Sequence, residues 1–309
     1  MKSNVLLIII CLNYCFASKV CSQELYIHSE PASSVPRGVF GIRYSMETYQ
    51  EEYNRKHWHA LRLYYGISNN FSITGSLTAS NHHQREFPAN PYAYFTNHHQ
   101  QGFSRDYPLN FDGGHVNLRY RLFSHDEPNG HIRIASFAEG SYINSAHDEA
   151  EPHLLGDNTG YGGGIIATKL IKKLALNVTA GFMRPTTYHQ KKDNLKFRSG
   201  NARYAIFSAG YLLYPKAYNS YDDLNINLYM EALYKEYDAA TLYINEQYEN
   251  IEFFPYLREG RYMELRPGLQ FIMNSRNRLD ISAGFTVYGR TFIRYNPTVY
   301  INYQRYLFK

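Results

Sequence analysis

Histidine pairs occur twice in one polar stretch, as NHHQ at Asn81–Gln84 and again at Asn97–Gln100. Imidazoles ligate transition metals and change charge near neutral pH, so such pairs suit metal capture or pH sensing. A second run, HDEAEPH at His147–His153, brackets the carboxylates Asp148, Glu149 and Glu151 with histidines and offers oxygen donors for a divalent ion. Adding His115 gives a candidate ligand set of His82, His83, His98, His99, His115, His147 and His153, with a divalent transition metal as the implied cofactor. The plainer reading is that long polar loops collect histidine, and that the acidic run is a solvated tip turned by Pro152. Nucleophilic chemistry has less to stand on. His115 lies three residues from Asp112 and SAHD spans Ser145–Asp148, pairs that a loop of this composition contains by chance, so the chain is expected not to be an enzyme.

The elements that carry these residues follow from a period of two. In NFSITGSLTAS, Asn70–Ser80, Phe71, Ile73, Gly75, Leu77 and Ala79 alternate with hydroxyl residues, a pattern that belongs to strands. The same alternation recurs at Val116–Leu122, Leu174–Phe182, Leu224–Ala232 and Leu279–Val287. Filling in weaker segments predicts twelve strands at about 38–49, 57–67, 70–80, 113–124, 131–143, 162–170, 174–184, 202–214, 223–234, 260–274, 278–290 and 297–308. The link after each even strand is short. After most odd strands it is long, at 81–112, 144–161, 185–201 and 235–259, with 50–56 and 291–296 modest. A soluble sandwich has no reason to sort its connections by parity, whereas a barrel that crosses a membrane does.

Composition agrees. The chain holds 31 tyrosines and 18 phenylalanines against one tryptophan, is polar on average, and has no long apolar run after residue 22. The fold class expected is all-β: a single transmembrane antiparallel β-barrel of about twelve strands, with short periplasmic turns and long extracellular loops. Lys2, the apolar run Val5–Leu12 and the small residues Val20 and Ser22 read as a signal peptide over 1–22, removed on export. Residues 23–37 are then an N-terminal periplasmic leader and 38–309 the barrel. All three cysteines (Cys11, Cys15, Cys21) fall in the removed segment, leaving no disulfide or thiolate ligand. Removal of 1–22 takes away Lys2 and Lys19 and no acids, so the formal charge falls from +5 to +3, too mild and too evenly spread to argue for a nucleic-acid partner.

With these strands, and with YINYQRYLF placing Tyr306 and Phe308 in phase at the chain end, the sequence resembles the outer-membrane β-barrel proteins of Gram-negative bacteria. The opening ELYIHSEPASSVPRGVFGIR is similar to the start of uncharacterised barrels of the Bacteroidota. The resemblance implies a place in the cell outer membrane, with membrane lipid and the barrel-insertion machinery as partners. The Phe308 phase, extended backwards, turns Asn302 and Gln304 toward lipid, so either a bulge resets the register or the strand takes the opposite phase.

If the apolar phase of each strand faces lipid, the charged residues face the lumen, because a charge on the lipid side costs roughly 2–4 kcal/mol near the midplane. The expected lumen-lining set is Arg43, Glu47, Arg62, Arg119, Arg121, Arg133, Glu139, Glu231, Glu264, Arg266, Asp280 and Arg290. Such an interior suits a passive channel or uptake pore for small polar or ionic solutes. The alternative is a plugged barrel whose histidine-rich loops bind a metal ion or partner, and a third reading is an outer-membrane hydrolase. Tyr44, Tyr64, Tyr65, Tyr204, Tyr214, Tyr229, Tyr234, Tyr262, Tyr288 and Tyr300 fall near strand ends and are expected at the headgroup level.

Overall fold

The computed structural model describes residues 28–50, 54–82, 86–87, 94–95, 107–127, 130–192, 194–216, 222–289 and 296–307. Its strands in chain order are β1 (Phe40–Gln50), β2 (Arg55–Gly66), β3 (Phe71–Ser80), β4 (Asn110–Glu127), β5 (Gly130–Ile143), β6 (Gly160–Ile171), β7 (Leu174–Pro185) and β8 (Tyr188–Gln190). They continue as β9 (Leu195–Arg198), β10 (Ala202–Tyr214), β11 (Asn225–Tyr237), β12 (Thr241–Ile244), β13 (Gln247–Tyr248), β14 (Gly260–Met273), β15 (Asn277–Gly289) and β16 (Thr298–Leu307). All but β8, β9, β12 and β13 form one closed barrel, in which β1 pairs antiparallel with β2 on one side and with β16 on the other. Closure leaves no sheet edge, so each barrel strand satisfies its backbone groups against two neighbours, as hydrocarbon requires. The barrel strands lie within three residues of the twelve expected at every end.

Alternation in the sequence becomes alternation between lipid and lumen. On β3, Ser72, Ser76 and Thr78 are buried inside while Leu77 is exposed outside; on β2, Leu61, Leu63 and Tyr65 point out while Ala60 and Tyr64 point in. Exposed Val116, Leu118, Tyr120, Phe207, Leu228, Ile281 and Phe285 continue an apolar belt around the barrel. A bulge between Arg121 and Phe123 shifts the register on β4, so Leu122 and Phe123 both face out. This closed barrel with an apolar outer belt is that of an outer-membrane protein, which crosses with strands.

Two expectations about aromatics are corrected. In β16 the pairing to β1 and to β15 runs without a register shift, so no bulge resets the strand. Asn302 and Gln304 are buried in the lumen, Tyr303 and Leu307 face out, and Tyr306 packs inward against Val35, Val39 and Tyr64. Phe308 lies outside the described residues. Of the tyrosines expected at the headgroups, Tyr44, Tyr65, Tyr214, Tyr234 and Tyr288 are exposed, but Tyr64, Tyr229, Tyr262 and Tyr300 are buried inside and Tyr204 packs under the cap described next. A phenol carries a donor and an acceptor, so it suits a polar lumen as well as an interface.

The long links do more than carry polar residues. Those after β7 and β11 form the hairpins β8–β9 and β12–β13, which join edge to edge through β9 and β12 into one four-stranded sheet. Asn245 and Glu246 both take positive φ (51° and 67°), the two-residue turn whose twist matches a hairpin. The sheet covers a core of Phe87, Phe95, Leu195, Phe197, Leu242 and Leu257, to which the links after β3 and β5 also contribute. Phe95 stacks on Phe197 at 5.8 Å and on Tyr256 at 6.4 Å. Each such buried side chain contributes about 1.5–3 kcal/mol, enough to hold a cap together above the barrel.

Candidate functional site

The lumen is crossed near its short-turn end by residues 28–36, the segment read from sequence as a periplasmic leader. Its backbone is held by strand side chains. The amides of His28 and Ser29 donate to the Glu231 carboxylate at 3.2 and 2.8 Å, and the Ala32 amide donates to Thr168 Oγ1 at 2.8 Å. Arg119 Nη1 donates to the Pro31 carbonyl at 3.2 Å, and Arg133 donates to Ser33 Oγ. Gly66 at the end of β2 lets the segment pass, since a Cβ there would collide with the Pro36 carbonyl oxygen.

Glu30 is the charged centre of this segment. Its carboxylate faces Arg43 at 3.3 Å, Arg119 at 3.2 Å and Arg62 at 3.8 Å, and accepts from the Tyr64 hydroxyl at 3.1 Å. Arg43 is wholly buried, so its charge depends on these contacts and on the acids nearby. Further round the wall, Arg266 Nε donates to Glu264 at 2.5 Å and lies over the Tyr300 ring at 4.9 Å, while Gln270 donates to Asp280 at 2.7 Å. Arg133 pairs with Asp126 at 2.9 Å near the turns, and Arg121 donates to Asn70 Oδ1 at 2.7 Å. Of the set expected to line the lumen, Arg43, Arg119, Glu231, Glu264, Arg266 and Asp280 are buried within the barrel, and Glu47, Arg62 and Glu139 line its cavity. Arg290 lies outside the described residues.

The other end is covered by the link between β5 and β6. Its acidic run does not form the solvated tip expected of it, because Glu149, Glu151 and His147 are buried. Glu151 reaches into the barrel, where Lys235 Nζ and the Tyr262 hydroxyl donate to it at 2.8 and 2.7 Å. Asp148 accepts from the Tyr94 hydroxyl, and burial first, then the adjacent carboxylate, push that phenol well above its ordinary range, so it stays a neutral donor. Gly156, at a φ of 125°, rests on the Trp58 indole where a Cβ would strike Nε1.

The candidate metal ligands among the described residues do not gather at one point. His115 lies inside the barrel, with Nε2 3.0 Å from Glu139; His147 Nε2 is 2.9 Å from the Glu151 carbonyl oxygen; His82 and His153 face Asp157 at 3.6 and 3.9 Å. Among the described residues no group of three or more histidines and acids is placed to hold a metal ion. His83, His98 and His99 lie outside them. For hydrolytic chemistry, the rim serines Ser80 and Ser145 both approach Asp112 Oδ1, at 3.0 and 3.4 Å.

Between leader and cap lies a cavity of about 190 Å³. His28 and Glu30 bound it on one side, and His153, Leu154 and Leu155 on the other. Sequence reasoning found the charges of its wall but missed both covers. The signal for the first was the Ser, Pro and Glu content of residues 29–36, which is compatible with an extended segment and does not say where that segment goes.

No protein-family model and no curated protein sequence matches the chain. Among solved structures it is similar to an outer membrane channel from Pseudomonas putida F1, with a TM-score of 0.57 at 9% identity over 91% of this chain and 100% of that one. The NanC porin matches at a TM-score of 0.45, with 10% identity over 87% and 99% of the two chains. The likeness to the Pseudomonas channel is one of fold.

Proposed function

We propose that this outer-membrane barrel is a channel for small polar or ionic solutes that rests closed. Residues 28–36 form its periplasmic plug and the link between β5 and β6 its outer cover. The observation that carries this reading is the cavity of about 190 Å³ inside the lumen, bounded by one segment at each end and walled by charged side chains such as Arg62, Arg119, Glu139 and Arg266. The plug is held by polar contacts, which water or a solute can replace as it moves. The fold shared with a protein described as an outer membrane channel supports the same reading.

Single-channel recording in planar bilayers tests it. Full-length protein should show long closed periods with brief openings, and a variant lacking residues 23–36 should conduct steadily. A folded barrel that stays silent in both forms rules the channel out.

A further inference from the structure

The wall of the cavity is divided in two. On the neighbouring strands β1 to β5, Ser45 Oγ, Arg62 Nε, Ser76 Oγ, Asn117 Oδ1, Arg119 Nε and Glu139 Oε1 are buried atoms that make no hydrogen bond, and all six residues line the cavity. Ser45, Ser76 and Arg119 are themselves more than nine-tenths buried. Opposite them, on β10, β11 and β14, stand Tyr204, Ile206, Leu233 and Tyr262, together with Lys235 and Arg266. The charges of the wall already have partners. Arg62 and Arg119 face Glu30 at 3.8 and 3.2 Å, Glu139 faces His115 at 3.0 Å, Lys235 faces Glu151 at 2.8 Å and Arg266 faces Glu264 at 2.5 Å.

We infer that this cavity is a binding site for a neutral polyhydroxylated ring the size of a monosaccharide. The inference rests on the channel reading only for the ligand's passage, not for its binding. The unpaired atoms include donors, acceptors and hydroxyls that are both, on one wall. A hydroxyl can meet all three kinds, whereas a carboxylate or phosphate only accepts and an ammonium only donates. Each of these wall charges already faces one of opposite sign, which leaves an ion less to gain there than a neutral hydroxyl. On the facing wall, Tyr204, Ile206, Leu233 and Tyr262 suit the C–H face of a sugar ring. At about 190 Å³ the space falls below the roughly 300–1,000 Å³ of pockets that enclose drug-sized ligands, which limits the occupant to one small ring.

Trp58, the single tryptophan, lines the cavity and supplies the readout. D-glucose, D-xylose, myo-inositol, L-alanine and L-glutamate are titrated into full-length, detergent-folded protein while Trp58 fluorescence is followed, with calorimetry in parallel. A saturable response to one of the polyols and to neither amino acid is expected. Asn117→Leu and Ser76→Val, each shown to be folded by heat-modifiable gel migration, should each weaken it by about tenfold, the effect of losing one hydrogen-bonding group. A response to the amino acids alone overturns the ligand class. No saturable response to any of the five, or a polyol response unchanged in both variants, overturns the site. Conductance is recorded on the same preparations: a barrel that conducts without binding loses the site alone, and one that binds without conducting keeps the site and loses the channel.

Discussion

Glu30 is the residue on which the plug turns. One carboxylate faces three guanidiniums and a tyrosine hydroxyl, and the buried Arg43 stands among them. Removing one partner of a buried ion pair costs about 3–5 kcal/mol, because the other charge stays behind without it. Glu30→Ala should therefore loosen residues 28–36 while leaving the strands paired. Trypsin cleavage after Arg37 and open-channel probability should both rise in the variant, and a plug equally protected in both proteins would show that the backbone contacts to Glu231 and Thr168 suffice. The Glu30 cluster brings together positions far apart in sequence, Glu30 and Arg119 being separated by 89 residues and His28 and Glu231 by 203. Each arginine was readable as inward-facing from its own strand. Their common partner was not, since no local pattern says that the leader enters the barrel.

At the scale of the element, the cap is a folded unit with its own core. Phe197→Ala removes a ring stacked on Phe95 and should cost the cap about 3–5 kcal/mol. Amides of β8, β9, β12 and β13 should then exchange with solvent sooner while those of β1 to β7 keep their protection, a contrast that hydrogen exchange reads directly. His82 ties the link after β3 to the link after β5 through Asp157. Burial opposes its charge, but Asp157, then Asp112 and Glu47, outweigh burial and raise its pKa. A raised folded value means that the tie stabilises fully below the ordinary histidine pKa of about 6.5 and is lost as pH rises through the folded value. The protection of residues 153–158, after correction for the intrinsic pH dependence of exchange, should accordingly fall as pH rises above about 6.5, and His82→Ala should remove that fall. Sequence had placed these links on one face and called them polar. It missed their strands because segments of two to four residues carry too short an alternation to read.

Among the described residues, the barrel holds residues 28–36 toward one end of its lumen, the link between β5 and β6 toward the other, and a cavity of about 190 Å³ between them. Eight strands are filled by side chains and sixteen leave a channel, so a barrel of twelve has a lumen of intermediate width, one that needs added segments if it is to be narrowed. Residues 28–36 fill that need at one end, and the acidic link with Leu154 and Glu151 at the other. β11 anchors both, through Glu231 for residues 28–36 and through Lys235 for the acidic link.

The alternation of apolar and polar residues determined by itself the number of barrel strands, their limits and the inward side of most of them, because those properties depend on neighbours in the chain and on the cost of a charge in lipid. It misjudged β16 and half of the tyrosines, where an aromatic ring satisfies lumen and interface alike. Only the tertiary structure decided where the leader runs, that the long links build a cap, and that His115 and His147 stand apart from the pair His82 and His153 at Asp157. Those outcomes rest on contacts between residues tens to hundreds of positions apart, which form only once the barrel has closed and given them a wall to meet.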